Sequence, residues 1–510
     1  MKLVRLLLVY LLICSFFVTA FSFPTARAAK IKKVKIRGYI TRINSPTSFE
    51  IDDYRVTKDE ALVLEFENQD NGDVKFKPED IRVGTEIEVQ GMFNDETDEL
   101  TATSVSIDLD QFRALRNTTI LTSPPGGIER LEKSWQGTFW ADGRRIRIEP
   151  ATLVLFELNR SERKAAKQGP KDDKKDKKDK AEKADAAPNE AAEDEPETEP
   201  LKDLSEVKAG MYATYEGVEQ PDGTVLASKV TFVKNELEKG EGNFWKSLKT
   251  KEKAPNFTEG NPGELSIKQI GKFKLLPSKE VQEYVQRLGQ SLIPEYQKRL
   301  ADNDPQKIPF KFYVISEKVP NAFALANGIV VIHSSLITSL ESEGQLAAVM
   351  AHEIAHATQE HTWRQMNKDK GKRTALAIGG IAAAAFGFGM VQNILQLTLA
   401  AMVNGYARRL ENQADRMGLE YMAAAGYDPR EAPRVWKVMS KKYGDAPTNF
   451  FWSSHDSNSL RRSFLMVEIR NNYSQLDMEN MKRGDEMEYQ KIITLTKDAA
   501  QKKKKIKVKM

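Results

Sequence analysis

The stretch EGQLAAVMAHEIAHATQEH, residues 343–361, decides how this chain is read. Its apolar residues recur at helical spacing, with Leu346, Val349 and Met350 directed to a core, so one helix is predicted from about Glu341 to Met366. His352 and His356 lie four residues apart, one turn above the other on one face, so both imidazoles can reach one ion. Glu353 is rotated aside, where its carboxylate reaches a metal-bound water rather than the metal. The chain has only five histidines in 510 residues, which makes the HExxH spacing a specific signal. The alternative is a hydrogen-bonded histidine pair on a buried helix.

A catalytic zinc site takes three protein ligands and keeps one position open. The sole cysteine is Cys14, so sulfur ligation and thiol catalysis are excluded for a chain that loses its N-terminal segment. No third histidine follows closely, and a carboxylate on another helix is the natural choice. Glu411 and Asp415, four apart in ENQAD (411–415), share a predicted helix face. Asp415 can accept a hydrogen bond from a ligand histidine and hold its tautomer. A pair at this spacing also occurs on ordinary solvated faces.

Taken in order, EYVQRLGQSL (283–292), NAFALANG (321–328), HEIAH (352–356), ENQAD (411–415), GYDP (426–429) and SSHDSNSLR (453–461) resemble metallopeptidase family forty-eight. That family includes prenyl proteases, heat-shock proteases and soluble periplasmic quality-control proteases. The resemblance covers about Leu265 to Arg470 and implies a zincin-type metalloprotease domain with one Zn2+ per chain. It implies His352, His356 and Glu411 as zinc ligands, Glu353 as catalytic base, and Asp415 and Arg461 as their supports. His455 is implied either to stabilise the oxyanion or to cap the zinc in a latent state. Asn321, Ala322, Phe323 and Ala324 resemble the family's edge strand, which binds extended substrate through main-chain hydrogen bonds. Ala326 and Asn327 stand where the family usually has Pro and Gly, which alters a turn and removes no catalytic group. His361 and His333 are read as structural.

The N-terminal half alternates in period two and is internally repeated. Gly84 aligns with Gly210, Gly91 with Gly217, Val105 with Val230 and Gly38 with Gly137. The expected architecture is multidomain α+β: two small β-barrel-like modules, similar to the oligonucleotide/oligosaccharide-binding type of barrel, followed by a mainly helical metalloprotease domain. The modules are placed at 31–110 and 134–235, the second carrying a charged, disordered insertion at about 160–201. A linker at 236–262, the protease domain at 263–475, and a C-terminal helix with a basic tail at 476–510 follow.

Residues 1–28 read as a signal peptide, with Lys2 and Arg5 before an apolar run and Ala26-Arg27-Ala28 before the cut. The run is short for a spanning helix, and Ile13 before Cys14 does not fit a lipoprotein. An exported chain is therefore expected, with a periplasm as its first destination and a secreted or membrane-associated chain as the alternatives. Residues 374–407 carry no charge and could span a membrane by length. The family resemblance implies instead an insertion between the two motif helices, packed near the cleft as in soluble members, where it could act as a gate, and the polar Gln392, Asn393 and Gln396 favour that reading.

The net charge of +4 gives no case for a nucleic-acid partner. Unfolded protein or peptide substrates are expected, with an envelope partner for the β-modules and peripheral membrane contact by the tail as further readings. The function expected is a zinc endopeptidase in envelope protein quality control; an assembly chaperone with latent protease and a membrane-associated protease are the alternatives.

Overall fold

The computed structural model describes residues 31–68, 77, 80–158, 198–234, 250–253, 263–267, 271–368, 406–443 and 458–507, with positions 242, 245 and 248. The expected signal peptide, nearly all of the charged insertion, the 374–407 stretch apart from its last two residues, and His455 lie outside the described residues.

Alternating burial builds the first sheet from β1 (Ile31–Ser45), β2 (Ser48–Ile51), β3 (Tyr54–Thr57), β4 (Glu65–Glu67), β5 (Glu86–Asn94) and β6 (Glu99–Asp108). β1 pairs β2 and β5, β2 pairs β3, β5 pairs β6, and a parallel β3–β6 pairing closes a five-strand ring. Ile40, Ile51, Val89, Leu100 and Ile107 fill it.

An eight-stranded sheet follows: β7 (Leu115–Ile120), β8 (Ile128–Arg130), β9 (Trp135–Ala141), β10 (Arg144–Ile148), β11 (Leu153–Glu157), β12 (Thr198–Pro200), β13 (Tyr212–Glu219) and β14 (Val225–Val233). Its first strand lies upstream of residue 134, where the repeat placed the module's start. The repeat is nonetheless visible in the pairing. β13–β14 matches β5–β6, and the parallel β10–β14 and β11–β14 pairs match β3–β6 and β4–β6. Both hairpins carry a bulge at the aligned glycine, at Gln90/Gly91 and at Glu216/Gly217. A Cβ on Gly91 would lie 2.1 Å from the Thr101 carbonyl, and one on Gly217 would lie 2.3 Å from that of Leu226. The second copy departs at its outer edge: β13 pairs β7 rather than β9, so no ring closes among the described pairings.

Within the expected linker, β15 (Thr250–Lys253) is a strand, joined to β16 (Glu264–Ile267) and β17 (Gly271–Lys274). The C-terminal half is mainly helical, so the chain as a whole is mixed α+β. Helix α1 (Lys279–Leu292), capped by Ser278, buries Val281, Tyr284, Val285, Leu288 and Leu292. The short α2 (Glu295–Arg299) leads to a three-stranded sheet of β18 (Lys311–Ile315), β19 (Ala322–Ala324) and β20 (Ile329–His333), in the order β18-β20-β19. Then come α3 (Ser334–Ile337), α4 (Glu343–Thr358), α5 (His361–Lys368), α6 (Arg408–Ala424), α7 (Glu431–Tyr443), α8 (Asn458–Asn472) and α9 (Glu486–Lys507).

α4 starts where Ser342 accepts from the Gln345 N–H and is buried on every side by its neighbours. The single helix predicted to Met366 is in fact two. Glu360, at φ 52°, breaks it after Thr358 and turns the chain back on itself. Periodicity continues across that break, which is why the sequence alone does not reveal it.

Candidate active site

α4 and α6 cross closely because Gly418 presents no side chain: a Cβ there would lie 3.3 Å from the His352 backbone nitrogen. The crossing sets both motif faces against each other. His352, His356 and Glu411 are buried, and one ligand atom from each lies within 4.8 Å of the other two. The two Nε2 atoms are 3.0 Å apart, and the Glu411 oxygens lie 3.5 Å from His352 Nε2 and 3.7 Å from His356 Nε2. Two imidazoles and a carboxylate converging in this way form a cluster that can hold a metal ion.

The far side of each ring is occupied too. His352 Nδ1 lies 3.0 Å from Asp415 Oδ1. Arg461, on α8, donates from Nε to Asp415 Oδ2 at 2.9 Å, lies 3.4 Å from Glu411 and covers the Trp436 ring at 4.1 Å. His356 Nδ1 meets His361 Nδ1 at 2.8 Å, and the Tyr406 ring stacks on His356 with centroids 4.1 Å apart. His361 therefore touches a predicted ligand. Sequence reasoning missed Tyr406, Trp436 and Gln413 at the site, and spacing holds no signal for contacts made across a helix break or between helices.

Burial and Arg461 push His352 down, but Asp415 and Glu411 outweigh them and bring it up to about 9. Burial pushes Glu353 up to about 7, against His352 and the Ala324 N–H and with help from Glu411. That N–H belongs to β19, so the predicted edge strand lies against the predicted base, and β19 is the edge of its sheet. Asn321, Ala322 and Ala324 are themselves buried, and Phe323 is half-buried. His333 donates to the Val319 carbonyl at 2.7 Å, away from the cluster.

Residues 279–468 match peptidase family M48, and residues 37–106 match a domain of unknown function, DUF5666. The C-terminal half of this chain carries a peptidase family M48 domain. Within the curated proteins, the chain is 32% identical over 180 residues to the beta-barrel assembly-enhancing protease of Escherichia coli K12, covering 34% of this chain and 35% of that one. It is 30% identical over 158 residues to the mitochondrial metalloendopeptidase OMA1 of Arabidopsis thaliana, covering 31% of each. The match thus spans about a third of the length of these relatives. The M48 match encloses α4, α6 and the ligand cluster, whereas the β-rich half lies outside it.

Proposed function

We propose that this chain is a zinc-dependent metalloendopeptidase, with His352, His356 and Glu411 as ligands and Glu353 as general base. The observation that carries the reading is the buried His-His-Glu cluster built from two helices inside an M48 match. The donor set fits zinc: borderline nitrogen and oxygen ligands, three in number, with both ring Nδ1 atoms engaged elsewhere so that the Nε2 lone pairs face inward. Bound there, zinc supplies an acidified water and polarises the scissile carbonyl. Glu353 takes the proton of the attacking water and passes it to the leaving amine. β19 receives an extended segment of substrate beside Glu353.

The names of the relatives place one of them in β-barrel assembly and the other in mitochondria. Together with the signal-like residues 1–28, they support an envelope quality-control role on unfolded protein, with export to a periplasm. Among the described residues no helix is long and apolar enough to cross a membrane. His455 either stabilises the oxyanion or caps the zinc.

The test is degradation of an unfolded model protein by the zinc-loaded chain beside Glu353→Gln. Cleavage is expected from the first alone, while zinc remains bound to both. Equal cleavage by the variant would remove Glu353 from the mechanism. Zinc bound in both with cleavage by neither would favour the latent, chaperone-like reading.

A further inference from the structure

The second β-module reaches the metal site through an unbroken run of side chains. Gln413, on the face of α6 turned toward β7, sends its Nε2 to the Thr118 carbonyl at 3.1 Å and to the Asp142 carboxylate, both of them groups of the module. A carbonyl and an ionised carboxylate can only accept, so the amide has one possible orientation. Gln413 Oε1 must then face the other way, where it receives Arg364 Nη1 at 2.7 Å and lies 3.0 Å from His361 Nε2. An acceptor at that distance places the His361 proton on Nε2 and leaves its Nδ1 bare. The bare Nδ1 is 2.8 Å from His356 Nδ1, so His356 carries its own proton on Nδ1. His356 Nε2 is left free of hydrogen and turned toward Glu411 and His352.

We propose that the module is a built-in part of the active site: Thr118 and Asp142 set the Gln413 amide, which sets the tautomer of His361 and so of the metal ligand His356. Gln413, His361 and Asp142 are positioning residues, acting on the metal through His356. The two histidine ligands are thus supported in different ways. His352 leans directly on a carboxylate of its own domain, while His356 depends on a neutral relay that ends in another module. Asp142 is itself firmly held, accepting from Arg416 Nη2 at 2.6 Å, Tyr215 at 2.5 Å and Asn117 at 2.9 Å. The proposal rests on the reading that His352, His356 and Glu411 bind zinc.

The experiment uses the full chain, with zinc affinity measured by competition against a chelating dye and histidine tautomers read from nitrogen-15 spectra. Only five histidines contribute signals, which keeps assignment by substitution feasible. The metal-free chain is expected to show His361 protonated on Nε2 and His356 on Nδ1. Gln413→Met removes the amide without shortening the side chain and is expected to weaken zinc binding at least about 10-fold, the usual size of effects from groups behind a ligand. His361→Leu should do the same, whereas His361→Asn, whose amide oxygen sits where Nδ1 did, should recover most of the affinity. Asp142→Asn offers a donor to Gln413 and is expected to move the His361 proton to Nδ1. Circular dichroism separates loss of fold from loss of the relay. A His361 proton on Nδ1 in the unaltered chain would overturn the proposal, as would zinc affinity within twofold of the unaltered chain in folded Gln413→Met. Failure of the unaltered chain to bind zinc would instead overturn the metal-site reading beneath it.

Discussion

Asp415 is the residue on which both α8 and a candidate ligand histidine lean. It takes the Arg461 guanidinium and lies within hydrogen-bond reach of His352 Nδ1, all in a buried setting. Asp415→Ala takes from the buried Arg461 cation the nearer of its two carboxylates and leaves Glu411 at 3.4 Å, a loss that costs up to about 3–5 kcal/mol. It is also expected to lower zinc affinity by about 10- to 100-fold. Urea denaturation and dye competition check the two separately, and unchanged zinc affinity would take Asp415 out of the site's support. Asp142 makes a second prediction at this scale. Burial raises its carboxyl, but Arg416, Arg144, Tyr215 and Gln413 outweigh that and hold it below the usual carboxylate range. A folded pKa below the unfolded one adds stability above the unfolded value, about 3.9, and that stability is lost as pH falls through the folded value. Asp142→Asn should therefore melt below the unaltered chain at neutral pH, with the gap narrowing below about pH 4. A gap independent of pH would show that the ionised carboxylate is not its source.

Among the elements, the paired hairpins show what a repeat in sequence means physically. The glycines align because each sits at a bulge where the partner carbonyl occupies the space of a Cβ. Gly217→Ala is expected to destabilise the second module by about 1–3 kcal/mol, as overpacking of a filled space does. Thermal unfolding measures it, and an unchanged melting temperature would mean the bulge shifts freely. α4 gives the opposite lesson. Its apolar period ran on past its real end, and only the backbone turn at Glu360 revealed two helices. Because of that turn, His361 returns against His356 instead of continuing along the helix face.

At the scale of the whole molecule, the sheets of both β-modules pack on the C-terminal helices that carry the candidate site. β1 rests on α8, with the Tyr39 N–H donating to Ser463 Oγ at 2.8 Å, two residues from Arg461. β7 rests on the end of α4, where Gln359 pairs with both backbone groups of Ile120, at 2.8 and 3.1 Å. Trp140 donates to Glu420 of α6 at 2.7 Å. Removing residues 31–234 would strip these partners and take the Asp142 carboxylate from Arg416. The truncated chain is expected to melt lower than the full one, by differential scanning calorimetry. Equal stability would mean that the modules are merely tethered.

The chemistry-bearing part of this protein was legible in its sequence because helical spacing is local. Four residues make one turn, so HEIAH and ENQAD each announced a pair of groups on one face. The repeat was legible because glycine at a bulge is a local steric demand. What the sequence did not carry was every contact made between elements: the end of α4, the outer edge of the second sheet, and the pairing of β7 with Gln359 and Gln413. Those depend on which surfaces meet, and surfaces hundreds of residues apart leave no period in the chain. Spacing presented the candidate metal-ligating groups; tertiary packing decided which neighbours hold them.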